Sequence, residues 1–274
     1  MLYYRRKILL ALMQCFNGQL TAIELQKYLF LFTRNQETKV YDFVPYQYGC
    51  FSFQANQDIA TLEKYGYIAK DDNNRIMLAK TEDYMMMLDM FDQQYPYYAT
   101  KSVIASSVLA DCPEYLEKIE NQKRHFAEPQ LFTIGYEGIS LETYINRLII
   151  NDVRVLCDVR KNAYSQKYGF SKAQLATACK GVGILYVHVP QLGIDSDKRQ
   201  DLRSQRDYDL LFDEYERTTL KDNHEALLYV RSLIDTHKRV ALTCFEKDPR
   251  QCHRSRVAKA LMGLKDREYT LKLL

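Results

Sequence analysis

Two thiols, two carboxylates, a histidine and three arginines crowd one short run, Cys244-Phe-Glu246-Lys-Asp-Pro249-Arg250-Gln-Cys252-His253-Arg254-Ser-Arg256. A connecting loop needs none of them. Glu246 is the residue type of a general acid or base. The guanidinium forks of Arg250, Arg254 and Arg256 suit phosphate or carboxylate. Cys244, Cys252 and His253 are nucleophile or metal-ligand types. Thiols eight apart, with the histidine adjacent to the second, do not follow a zinc-knuckle spacing, so no metal and no other cofactor is expected.

The elements that must hold this run are legible around it. Val240, Ala241 and Leu242 are apolar and follow the charged break His237-Lys-Arg239, which predicts a buried strand. Asp248-Pro249 forces a loop. From Ser255 to Leu264 the apolar residues Val257, Ala260 and Leu261 recur at helical spacing. Upstream the same alternation repeats. Strands are predicted over Leu131–Ile134, Val153–Val159 and Gly183–Val189, and helices over Leu141–Ile150, Ser171–Lys180, Tyr208–Thr219 and His224–Thr236. A last short strand, Tyr269–Leu273, is expected to form an edge. This is the pattern of an α/β fold with a mainly parallel sheet.

Every polar oddity of this region follows a predicted strand, and in a parallel sheet those ends share one edge and one crevice. The candidate catalytic residues are therefore Glu246, Asp158, Glu137, Cys244 and His253. The candidate ligand-binding residues are Gly135, Tyr136, Arg160, Tyr164, Ser165, Gln191, Arg250, Cys252, Arg254 and Arg256. His253 and Arg254 open the last helix, where free N–H groups and the positive dipole end favour an anion. With Arg160, Arg250 and Arg256 they are expected to clamp a phosphate or carboxylate, and Tyr136 or Tyr164 to stack a base. The competing reading is a structural network in which Asp158 and Arg160 pair with Arg254.

The segments Thr133-Ile-Gly-Tyr-Glu-Gly138, Asp158-Val-Arg160, Leu192-Gly193 and Cys244 to Arg254 resemble the DUF488 family, over residues 130–264. That resemblance implies a Rossmann-like α/β fold with these motifs clustered, and no assured activity. The chain departs from the family pattern at Lys161-Asn-Ala163, where a proline is common, and at Gly193-Ile194, where a second glycine is frequent. Cys244, followed after five residues by Arg250, also formally matches the thiolate loop of rhodaneses and protein tyrosine phosphatases. A thiolate there needs converging N–H groups and positive charge. The loop instead carries Glu246 and Asp248, has no glycine and loses an N–H at Pro249, so a rhodanese-like thiol enzyme is the weaker expectation.

Residues 1–80 read as a helical unit. Ile8, Leu9, Leu12, Met13 and Phe16 share a helical face that ends at Asn17-Gly18, and Thr21-Ala-Ile-Glu24 is a capping box for a second helix. A third helix is expected over residues 54–65, followed by a hairpin around residues 70–74. Helices followed by a hairpin is the order of a winged helix. The segments Leu25-Gln-Lys-Tyr-Leu-Phe30, Tyr41 to Gly49 and Leu62 to Ile68 also resemble the domain of SocA-type antitoxins of the Panacea group, with Cys50 where that pattern has proline. Residues 81–128 are expected to be a helical connector and 129–274 the α/β domain.

Across 274 residues the net charge is only +3, and seven cysteines without framework spacing read as reduced thiols, which places the chain in the cytoplasm. No apolar run approaches the roughly 20 residues of a membrane span. The favoured expectation is a nucleic-acid-associated protein, in a prokaryotic defence setting implied by the two resemblances, whose crevice binds and cleaves or modifies a nucleotide or nucleobase. DNA or RNA, an anionic small molecule and a protein partner of residues 1–80 are the partners considered. The rival is a non-enzymatic ligand sensor or antitoxin-like interaction module.

Overall fold

A computed structural model describes residues 2–80, 82–88, 107–111, 127–199, 202–264 and 269–274. The chain divides into two units, Met1–Ile119 and Glu120–Leu274. Among the described residues no helix is long and apolar enough to cross a membrane.

In the first unit α1 (Tyr4–Cys15) buries Ile8 through Met13. Asn17 and Gly18 then turn the chain at φ 58° and 76°, which an asparagine and a glycine tolerate best. The predicted capping box is present at Thr21 and starts α2 (Ala22–Arg34). Helix α3 (Phe53–Lys64) is capped by Ser52. Strands β1 (Gln19–Leu20), β4 (Ile68–Lys70) and β5 (Ile76–Leu78) form an antiparallel sheet in the order β1-β5-β4. A further hairpin, β2 (Val44–Tyr46) with β3 (Gly49–Phe51), stands between the second and third helices. The expected element order did not contain it. Its aromatic residues Tyr46 and Phe51 stack on each other and meet Phe53 edge-on. Buried Asp58 gathers Arg5, Arg6 and the Tyr41 hydroxyl and so joins α1 to α3. Leu88 and Val108 belong to the same core, so part of the expected connector is built into this unit. The remainder of that stretch lies outside the described residues.

The second unit alternates strand and helix: β6 (Gln130–Gly135), α4 (Leu141–Ile150), β7 (Val155–Asp158), α5 (Lys172–Gly181) and β8 (Leu185–His188). Then follow α6 (Gln205–Tyr215), continued by a π turn over Glu216–Leu220, α7 (His224–His237), β9 (Arg239–Cys244), α8 (Arg254–Gly263) and β10 (Thr270–Leu273). The five strands are all parallel, in the order β10-β6-β9-β7-β8. The α/β expectation is met, and β10 takes the edge as its sequence indicated. Central β9 is buried along its whole length, which is why Val240 to Leu242 carry no polar side chain. On one face Val155, Val240 and Leu242 pack with Val230 and Ile234 of α7 and Val257 and Leu261 of α8.

The strand register decides where the chemistry falls. Gly135 is level with Cys244 across β6 and β9, and Asp158 is level with Thr243 across β7 and β9. Three polar strand ends thereby open at one height on one edge. Replacing fully buried Leu242 by alanine should cost about 2–5 kcal/mol of unfolding free energy. The half-exposed edge residue Leu271, treated the same way, should change it by less than about 0.5 kcal/mol. Urea titrations of both variants read the difference.

Candidate active site at the carboxyl ends of the sheet

The loop after β9 is drawn back across the end of β6. A Cβ on Gly135 would lie 1.9 Å from the Glu246 carbonyl oxygen, so only glycine admits this approach. The Tyr136 and Glu137 N–H groups both donate to the Phe245 carbonyl, at 3.1 and 3.0 Å. Glu137 Oε2 accepts the Lys247 N–H at 2.9 Å. Arg254 is fully buried, and its guanidinium donates to the carbonyls of Glu246 at 2.5 Å and Lys247 at 3.2 Å.

The end of β7 is held by a buried ion pair. Arg160 clasps Asp158 through Nε at 2.8 Å and through its terminal nitrogen at 2.5 Å, and its backbone N–H donates to the same carboxylate. The Tyr186 hydroxyl donates to Asp158 at 2.6 Å, and Arg160 donates onward to the Tyr136 hydroxyl at 2.8 Å. Burial disfavours the Arg160 charge, but hydrogen bonding and attraction to Asp158 outweigh it and hold the guanidinium above its ordinary pKa. Burial and the neighbouring carboxylate raise the Tyr186 phenol. His188 meets the Arg160 carbonyl at 2.9 Å.

Between these two supports lies Cys244. Its thiol donates to Glu246 Oε2 at 3.3 Å and approaches His253 Nδ1 at 3.7 Å. His253 Nε2 is 2.9 Å from the Val159 carbonyl. A carbonyl only accepts, so Nε2 carries the proton and Nδ1 faces the sulfur, free to take another. Arg199, from the 3-10 turn Ser196–Arg199, forms an ion pair with Glu246 Oε1. A hydrogen bond from Cys252 is the largest influence on Cys244; burial opposes it, while His253 and Arg199 act in the same direction, and the thiol ends well below its ordinary pKa. Cys252 moves the opposite way, chiefly through burial.

Cys244 and His253 line a cavity of about 240 Å³ with Tyr136, Arg160, Lys161, Asn162, Tyr164, Ser165, Ile194, Ser196, Arg199 and Phe245. Of the sequence candidates, Cys244, His253, Tyr136, Arg160, Tyr164 and Ser165 thus meet in one place. The others do not line it. Asp158 and Glu246 are taken up by arginines, and Glu137 caps the loop backbone rather than facing a substrate. Tyr136 is only 3% exposed and stacks on Phe170 at 4.2 Å, which leaves no ring face for a base. Gln191 faces a neighbouring cavity of about 370 Å³ with Gly193 and Asp195.

The expected arginine clamp is dispersed. Arg250 is exposed and folds onto its own Asp248, Arg256 pairs with Glu216 and Asp209, and Arg254 serves backbone carbonyls. Asp158 pairs with Arg160 and not with Arg254, and outward-facing Arg250 leaves the phosphatase-type loop without its arginine. Gly135 and Cys252 lie behind the cavity as support. Lys161, Asn162, Ser196 and Arg199 were missed because none belongs to a motif; Arg199 precedes its partner Glu246 by 47 residues. The signal available was the charged segment after Gly193. Among the described residues Cys244, Cys252 and His253 are also a grouping whose donor atoms, all within 4.8 Å of one another, could close on a metal ion despite their awkward spacing.

Residues 140–261 match DUF488, a domain of unknown function. The DUF488 match spans Asp158, Arg160, Arg199 and the run from Cys244 to Arg256, while β6 and β10 of the same sheet lie outside it. No curated protein and no solved structure matches the chain.

Removing the Asp158 charge should be far more damaging than removing its phenol partner. Asp158→Asn leaves Arg160 buried without its counter-ion and should cost about 3–5 kcal/mol, whereas Tyr186→Phe should cost about 1 kcal/mol. Chemical denaturation of the two variants checks the order.

Proposed function

We propose that the second unit is a cysteine-dependent enzyme in which Cys244 is the nucleophile and His253 Nδ1 receives its proton. The observation that carries this reading is the 3.7 Å approach of Cys244 Sγ to Nδ1 while Nε2 is committed to the Val159 carbonyl. A nucleophile, a base within reach and a third group that fixes the base are the parts such chemistry requires. Glu246 opposes a thiolate at 3.3 Å, and its ion pair with Arg199 offsets that repulsion and brings a cation to the cavity. The weaker of the two enzyme expectations from the sequence is therefore the one we favour, with the charge supplied by Arg199 and His253 rather than by a glycine-rich loop.

The lining suits a small anionic electrophile. Lys161 supplies positive charge beside the ion-paired Arg160 and Arg199, and Ser165, Ser196 and Asn162 supply neutral hydrogen-bonding groups. A nucleotide or nucleobase is the substrate class we favour, because Tyr164, 70% exposed at the same cavity, offers a ring to stack on. Delivery of DNA or RNA by the first unit is part of the same proposal. The N-terminal arginines Arg5 and Arg6 are bound to Asp58, so phosphate contacts would fall to other cations there.

Iodoacetamide alkylation, followed by peptide mass spectrometry across pH, tests the nucleophile. A thiol held below its ordinary pKa keeps its thiolate as pH falls through the ordinary range near 8.5, so Cys244 should keep reacting where common thiols slow about tenfold per pH unit. His253→Ala and Arg199→Ala should each shift the onset of the fall upward in pH, His253→Ala by more. Reaction no faster than that of core Cys157 and Cys179, or reaction that begins only after a chelator is added, would overturn the reading.

A further inference from the structure

The cysteine chemistry proposed above leaves one nucleophilic group without a role. Cys252 is fully buried and is not among the residues lining the cavity, yet its sulfur lies within 4.8 Å of Cys244 Sγ. Both thiols are reduced. A packing residue at this position needs no sulfur. An electrophile entering the cavity meets Cys244 first, and the group behind Cys244 that can attack whatever forms there is the second thiol.

We propose that Cys244 and Cys252 form a two-thiol redox centre in which Cys244 reduces a hydroperoxide and Cys252 resolves the product. The inference rests on Cys244 being the nucleophile. The Cys244 sulfur attacks the terminal peroxide oxygen, the O–O bond breaks, and the alcohol or water leaves after taking up a proton from the His253 side. Cys244 is then a sulfenic acid. The Cys252 sulfur attacks the Cys244 sulfur, an S–S bond forms, the S–O bond breaks, and water departs with the Cys252 proton. Two thiols and one hydroperoxide give one disulfide, one alcohol or water, and one further water. A small dithiol reductant returns the pair to its starting state by exchange.

The surroundings favour Cys244 as the attacking sulfur. Burial pushes Cys179 and Cys50 up to about 12, and it pushes Cys157 up as well, so these stay protonated where Cys244 does not. None of them lines the cavity. The seven residues between Cys244 and Cys252 hold a 3-10 turn at Pro249–Gln251. Closure of the sulfurs withdraws Cys244 Sγ from His253 Nδ1, so the oxidised protein loses its nucleophile.

The full chain is treated with hydrogen peroxide and mapped without reduction, beside an untreated sample labelled with iodoacetamide. The expected product is a loss of two hydrogens and a crosslink joining the Cys244 and Cys252 peptides, reversed by dithiothreitol. Cys252→Ser and Cys252→Ala should instead accumulate a dimedone-reactive sulfenic acid on Cys244, and Cys244→Ser should give neither product. The map of the unaltered chain stands even where a variant does not fold. Normal iodoacetamide labelling of Cys244 with no crosslink, or a crosslink through any other cysteine, overturns the redox inference and leaves the nucleophile intact. A Cys244 inert to iodoacetamide overturns the nucleophile on which both readings rest.

Discussion

The arrangement depends first on the buried pair of Asp158 and Arg160. Two charges inside a protein cost several kcal/mol each in lost hydration, and only close, multiple hydrogen bonds offset that cost. Here the guanidinium meets the carboxylate twice, the backbone N–H of Arg160 adds a third bond and the Tyr186 hydroxyl a fourth. The residue between the paired side chains is Val159. With its neighbours fixed on both sides, its carbonyl is fixed too, and that carbonyl sets the proton on His253 and aims Nδ1 at Cys244. An ion pair of doubtful value for stability thus acquires a clear positional role.

The second dependence is on closeness of backbone. Gly135 lets the loop after β9 fold onto β6, and Gly193 brings its segment against Lys161, whose N–H would lie 2.1 Å from an added Cβ. These contacts bring loops from different crossovers within reach of one thiol. The departures at Lys161-Asn-Ala163 and Gly193-Ile194 lie at this second junction, where Lys161 faces the cavity.

Electrostatics then sorts the acids. Of the three carboxylates near the strand ends, Asp158 is neutralised by Arg160, Glu246 by Arg199, and Glu137 binds a backbone N–H. Each therefore spends its oxygens on protein partners. The Cys244 thiol donates to one oxygen of Glu246, and Arg199 holds the other.

The sequence by itself determined the α/β unit, nearly all of its strands and helices, and the edge at which its polar residues converge. Apolar periodicity is a local property, and parallel strands must end on a common edge. The capping box at Thr21 and the turn at Asn17-Gly18 were legible for the same reason, since the groups involved lie within a few residues. Which side chains of that edge face the cavity was decided by tertiary structure. Arg250, Arg254 and Arg256 look equivalent in the sequence, but one is taken by its neighbour Asp248, one by two carbonyls and one by the carboxylates of Asp209 and Glu216. Arg199, a cation that does reach the site, comes from a charged segment with no motif. A side chain's partner is set by what long-range folding brings beside it, and no spacing along the chain encodes that distance.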